Sequence, residues 1–115
     1  MRVERRKFPR VECRTSIQYR PIHQPSAVLA SSFTKDVSAG GVMCQITEFC
    51  PRESRLIVQL TVPDAPVSIR TIAQVAWIRK QPFSDHYDAG LQFVEMTVED
   101  RSRIMRYIDQ MRSPF

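Results

Sequence analysis

The sequence predicts a small, mainly β domain: an antiparallel barrel or sandwich with one C-terminal helix covering an opening. Three observations predict it. About six short runs rich in β-branched and aromatic residues are separated by breaks carrying Pro, Gly, Asp or Ser. The apolar spacing changes from about two to the helical period of about 3.6 only near the end of the chain. The chain has 115 residues, 43% of them hydrophobic, which suits one domain with one core.

Residues 1–12 are charged and carry Pro9, and are expected as a flexible basic arm ahead of a folded domain at 13–115. Thr15, Ile17 and Tyr19 alternate within Arg14–Arg20, which reads as the first strand. Pro21, Pro25 and Ser26 mark a loop before a second strand at Val28–Val37. Asp36-Val37-Ser38-Ala39-Gly40-Gly41 is a turn in which glycine is expected to supply positive φ. Val42–Ile46 follows at once as the third strand, so the two form a hairpin or bulged turn.

Leu56–Val62 is a fourth strand, closed by Pro63. Val67–Arg79 is a long run in which Val67, Ile69, Val75 and Trp77 alternate. It reads as two strands' worth of edge or as one strand bent by a bulge. Gln81–Asp85 breaks it, and Tyr87–Val94 is the last strand. Phe33, Trp77 and Phe93 are expected inside the barrel. Thr97 stands three residues before Asp100 and caps a helix at about 97–112 whose apolar face is Ile104, Ile108 and Met111.

Composition excludes several classes. No run approaches the ~18 apolar residues of a membrane-spanning helix, and the N-terminus MRVERRKFPR has no apolar stretch behind its charges. The expectation is a cytoplasmic protein with no membrane insertion. Cys13, Cys44 and Cys50 are odd in number and lack a C-x-x-C spacing, which suits buried free thiols. His86 sits in a DHYD segment that reads as a polar turn, with no second His or Cys at a ligand spacing. No Ser/His/Asp or Cys/His arrangement stands out, so an enzyme is not expected.

The charge is localised. Residues 1–20 carry seven basic and two acidic side chains, and the rest of the chain is balanced at ten of each. Arg-x-x-x-Arg occurs there as Arg2/Arg6, Arg6/Arg10 and Arg10/Arg14. Such a segment is either a solvated tail or an arm that orders on an anion. The Asp36-x-Ser38-x-x-Gly41 turn is either self-capping or presents a carboxylate, a hydroxyl and bare backbone to a ligand.

Together, the arm Arg6-Lys7-Phe8-Pro9-Arg10 and the turn Asp36–Gly41 resemble the paired signature of the PilZ domain family, bacterial receptors for cyclic di-GMP. The resemblance continues in Val75-Ala76-Trp77-Ile78-Arg79 and Gly90-Leu91-Gln92-Phe93, and covers nearly the whole chain. It implies a six-stranded antiparallel β-barrel with a C-terminal helix, and a second-messenger receptor or adaptor with no cofactor besides its ligand. It places Arg6 and Arg10 on phosphates and on the O6/N7 edge of guanine. Asp36 and Ser38 would bond guanine or an arm arginine, and Gly40 and Gly41 would shape the turn. Trp77 and Arg79 would line the barrel side.

Arg5 directly precedes the motif. In the family such an arginine goes with an intercalated cyclic di-GMP dimer, two ligands per chain. The arm would fold over the ligand and create a surface for a downstream protein or a second copy of the chain. Two alternatives remain at this point. One is a small barrel that binds nucleic acid through the same arm, which calls for exposed aromatics on a strand face; the basic charge does not continue along the sheet. The other is an interaction scaffold of the same fold that binds no nucleotide.

Overall fold

The structure, a computed structural model, describes residues 8–24, 28–63 and 68–112. Seven strands and a helix follow in order: β1 (Arg10–Glu12), β2 (Ser16–Pro21), β3 (Ala30–Ser38), β4 (Gly41–Ile46), β5 (Arg55–Thr61), β6 (Ser68–Lys80), β7 (Tyr87–Glu95) and α1 (Val98–Arg112). The sheet runs β3-β2-β5-β6-β7-β4 and closes through β3–β4 pairing, so six antiparallel strands form a closed barrel. Every strand of the ring sends apolar side chains inward, among them Ile17, Val37, Val42, Val58, Ile69 and Leu91. Closure pairs every strand of the ring on both sides, with part of β3 left for another partner, and the alternation of buried and less buried residues along β4 and β5 shows the two-residue period directly.

β1 is the strand outside the ring. Residues 10–12 were expected in the flexible arm; instead they pair with β3, Arg10 with Ser38, Val11 with Val37 and Glu12 with Asp36. The reason lies in strand lengths. β2 covers only Ala30–Phe33 of the nine-residue β3, so the far half of that edge stands open, and β1 fills it. Between β1 and β2 the chain breaks opposite Lys35. The buried Thr34 hydroxyl accepts from Thr15 N at 3.0 Å and donates to the Cys13 carbonyl at 2.8 Å, satisfying backbone groups the break would orphan.

The barrel has three register shifts, and two of them, in β3 and late in β6, decide which side chains of the site face outward. In β3, Thr34 pairs with Cys44 and Asp36 with Met43, so Lys35 is the extra residue. In β6, Val75 pairs with Leu91 and Trp77 with Gly90, so Ala76 is extra. Each extra residue inverts the inward–outward phase beyond it. Without them, Asp36 would follow Thr34 inward and Trp77 would follow Val75 inward. Trp77 is therefore on the outer face, not in the interior as expected. Phe33 is also outside, half-exposed with the Arg14 guanidinium 4.0 Å from its ring centre, and of the three aromatics only Phe93 is buried.

The Thr97 hydroxyl accepts from Asp100 N at 3.1 Å, the N-cap the sequence predicted. α1 buries Ile104, Tyr107 and Ile108 against the barrel beside β1 and β3. Met111, expected on that face, is exposed, and Tyr107 takes its place. Among the described residues, no helix is long and apolar enough to cross a membrane.

Candidate functional site

The two bulges and the β1–β3 pairing bring the predicted residues to one place. Asp36 on β3, Met43 on β4, Gly90 on β7 and Trp77 on β6 form one continuous cross-strand row on the outer face. They floor a groove of about 460 Å³ that Arg10, Ser38 and Phe8 close from the β1 side. Arg10 Nη1 lies 4.0 Å from Asp36 Oδ2, with the arginine side chain 41% exposed. A cation, a carboxylate and an indole thus face one cleft whose volume suits a small ligand.

The turn is tied together by one hydroxyl. Ser38 Oγ accepts from Gly40 N and Gly41 N, both at 3.1 Å, and its proton points to the Gly41 carbonyl at 3.3 Å. The glycines were expected to supply positive φ; none of the described glycines has it. What they supply is closeness. A Cβ on Gly41 would run into the Leu91 carbonyl of β7, and one on Gly90 would run into the Trp77 indole that lies across it.

Arg5 and Arg6 lie outside the described residues, so Arg10 is the one arm arginine placed. Arg79 does not line the groove; it stands one row beyond Trp77, its guanidinium 5.9 Å from the indole centre. Sequence reasoning missed Phe8, Met43 and Gly90. Phe8 is the apolar residue inside the arm motif. It packs on Gly40 and carries the Arg101 guanidinium 5.2 Å from its ring centre, linking the groove to α1. An aromatic between two arginines was its only signal.

Residues 4–110 match the family model of the PilZ domain. The chain belongs to the PilZ domain family. Solved structures agree on the fold. Bacillus subtilis MotI/DgrA, an inhibitor of motility, superposes with a TM-score of 0.81 at 20% identity, covering 100% of this chain and 56% of that one. The K. pneumonia MrkH–c-di-GMP complex gives 0.72 at 16% identity, covering 95% and 53%. The PilZ domain of Escherichia coli YcgR with c-di-GMP gives 0.67 at 14% identity, covering 94% of each chain. This chain thus spans about half the length of MotI and MrkH. No curated protein sequence matches it significantly.

Beside the groove of this PilZ domain lies its one buried charge among the described residues, Asp88. Lys35 Nζ donates to Asp88 Oδ1 at 2.6 Å, Gln81 Nε2 donates to the same oxygen at 2.8 Å, and Arg79 Nη2 is 3.7 Å from Oδ2. Burial alone would push this carboxyl up. The Lys35 and Gln81 hydrogen bonds and the Lys35 and Arg79 charges outweigh it, and its pKa falls below the ordinary value. Asp88 is thereby committed to its partners, and the described residues hold no group of three or more His, Cys, Asp or Glu arranged for a metal. Burial, then Asp88 and Cys50, push the Cys44 thiol up to about 12, so it stays protonated and is a core side chain, not a nucleophile.

The lowered pKa fixes a sign. A carboxyl more acidic folded than unfolded adds stability above its unfolded pKa and loses it as pH falls through the folded one. Thermal stability is expected to hold down to about pH 4 and to drop below it. Melting curves of the parent and Asp88→Asn between about pH 2.5 and pH 6 check this, and the parent should show the steeper drop. Parallel curves would mean that the cluster adds nothing to stability.

Proposed function

We propose that this chain is a non-catalytic receptor for cyclic di-GMP. The observation that carries the reading is the β1–β3 register, which sets Arg10 opposite Ser38 and beside Asp36 in a groove walled by Trp77. Each group has a task on a guanine nucleotide. A guanidinium forks onto O6 and N7 or onto a phosphate. A carboxylate accepts from the N1–H and N2–H₂ edge. An indole offers a face or edge to a flat base. The c-di-GMP complexes of MrkH and YcgR, built on the same fold, support the choice of ligand.

In this reading Arg5 and Arg6 complete the cation cluster from the segment before Phe8, and Arg5 favours a ligand dimer. The arm then closes over ligand and barrel and makes a surface for a downstream protein. Ordering arm residues costs about 1–2 kcal/mol each, which the charge-assisted contacts must exceed. Localisation in the cytoplasm goes with this reading.

Titration calorimetry with cyclic di-GMP tests it, with cyclic di-AMP, GTP and a short single-stranded oligonucleotide as controls. Selective heat with cyclic di-GMP is the expected result, near two ligands per chain if Arg5 acts as proposed. A second reading draws on the half-exposed Phe33 and Trp77, which single-strand binders also display. Salt-sensitive oligonucleotide binding without cyclic di-GMP binding would favour it, and silence from every ligand would favour an interaction scaffold.

A further inference from the structure

Arg79 and Asp88 face each other across β6 and β7, one row along from Trp77 and Gly90. The bulge at Ala76 has put Trp77 and Arg79 in the outward phase of β6, and both are exposed. The indole lies across Gly90, which has no side chain of its own to hold the ring. What stands next to it is Arg79, 5.9 Å from the ring centre, and Arg79 is 72% exposed, free to leave unless held. Among the described residues Asp88 is the acid that pairs with it, and Asp88 is itself fixed by Lys35 from β3 and by Gln81. Three strands of the barrel therefore converge on one carboxylate whose outermost contact ends at the groove's aromatic wall.

We propose that Asp88 is a positioning residue for the ligand groove: it holds Arg79 beside Trp77 and so sets the orientation of the indole over Gly90. Its effect on ligand affinity rests on the cyclic di-GMP reading; its effect on Trp77 does not. The carboxylate touches no ligand in this scheme. It acts through Arg79, which a neutral amide would hold far less firmly, since the amide keeps an acceptor for Lys35 or Gln81 but loses the charge that attracts the guanidinium. The purpose is pre-organisation. A ring already aimed at a base loses less freedom when the base arrives.

Trp77 is the single tryptophan of the chain, so tryptophan emission reports on this one indole. The test compares the parent, Asp88→Asn, Asp88→Glu, Arg79→Ala and the double variant Asp88→Asn/Arg79→Ala, each first checked for native circular dichroism. Acrylamide quenching of Trp77 is expected to rise in Asp88→Asn and by the same amount in Arg79→Ala. Cyclic di-GMP affinity is expected to weaken roughly three- to tenfold in both, the range of a lost cation–π contact. The double variant should match either single one, and Asp88→Glu, which keeps the charge, should recover part of both effects. A folded Asp88→Asn with parental quenching would overturn the proposal. So would altered quenching with parental affinity, in a chain that binds. If Asp88→Asn fails to fold, Arg79→Ala carries the comparison and parental quenching there overturns it. If the parent binds no cyclic di-GMP, the functional reading falls, and the quenching series still decides this one.

Discussion

Arg10→Ala is expected to weaken cyclic di-GMP binding by about 100-fold, close to 2.7 kcal/mol, while the melting temperature moves by only a few degrees. The two halves have separate causes. The Arg10–Asp36 pair is 4.0 Å apart with the arginine side chain 41% exposed, and such a pair contributes about 0–1 kcal/mol to folding. β1 is held by backbone pairing with β3, for which the side chain is not needed. Binding is another matter. A charge-assisted fork onto phosphate or guanine is worth about 1.5–3 kcal/mol. Truncation also removes the cation that pairs with Asp36 among the described residues, leaving that carboxylate to face an anionic ligand. Calorimetry and a thermal melt on the same sample measure both. A melting temperature lowered by more than about 10 °C would make Arg10 a structural residue of the β1–β3 edge instead.

That result bears on how much of the site the sequence held. The two motifs could be read directly, and so could the helix cap at Thr97 and the strands around Val42, Leu56 and Leu91. What could not be read was why the motifs meet. The open half of the β3 edge depends on where β2 stops pairing, a matter of register between distant segments. Three residues with Arg and Glu at their ends look like part of a charged tail until that edge exists. The bulges were visible only in part. The length of the Val67–Arg79 run suggested one in β6, but a single inserted residue at Lys35 or Ala76 is located only against the partner strand, and period-two counting placed Trp77 inside.

Local pattern thus located the chemistry and misjudged its facing, because facing is set by non-local pairing. Asp88 shows the same limit from the other side. In sequence it reads as one more polar residue where the DHYD turn enters the last strand, whereas its partners Lys35, Arg79 and Gln81 come from two other strands and the loop beyond β6.

The glycines of the turn separate two explanations that sequence alone leaves merged, freedom of φ and freedom from a Cβ. With no positive φ at either, alanine has no backbone penalty to carry at Gly40 or Gly41, and any cost must come from contact. At Gly40 the nearest atom to a new Cβ is Phe8 Cδ2 at 3.0 Å, the rim of a side chain that can shift. At Gly41 the obstacle is the Leu91 carbonyl, with Leu91 C at 3.1 Å and Gln92 Cα at 3.2 Å, all main chain of the neighbouring strand. β4 and β7 would have to part where the barrel closes, since Gly41 pairs with Gln92 on one side and Ser38 on the other. Gly41→Ala is therefore expected to destabilise by about 3 kcal/mol or more. For a domain of this size that lowers the melting point by more than about 10 °C. Gly40→Ala should cost under about 1 kcal/mol, with its main effect on binding through the displaced Phe8. Equal losses at the two positions would mean that turn flexibility, not strand contact, is what glycine provides here.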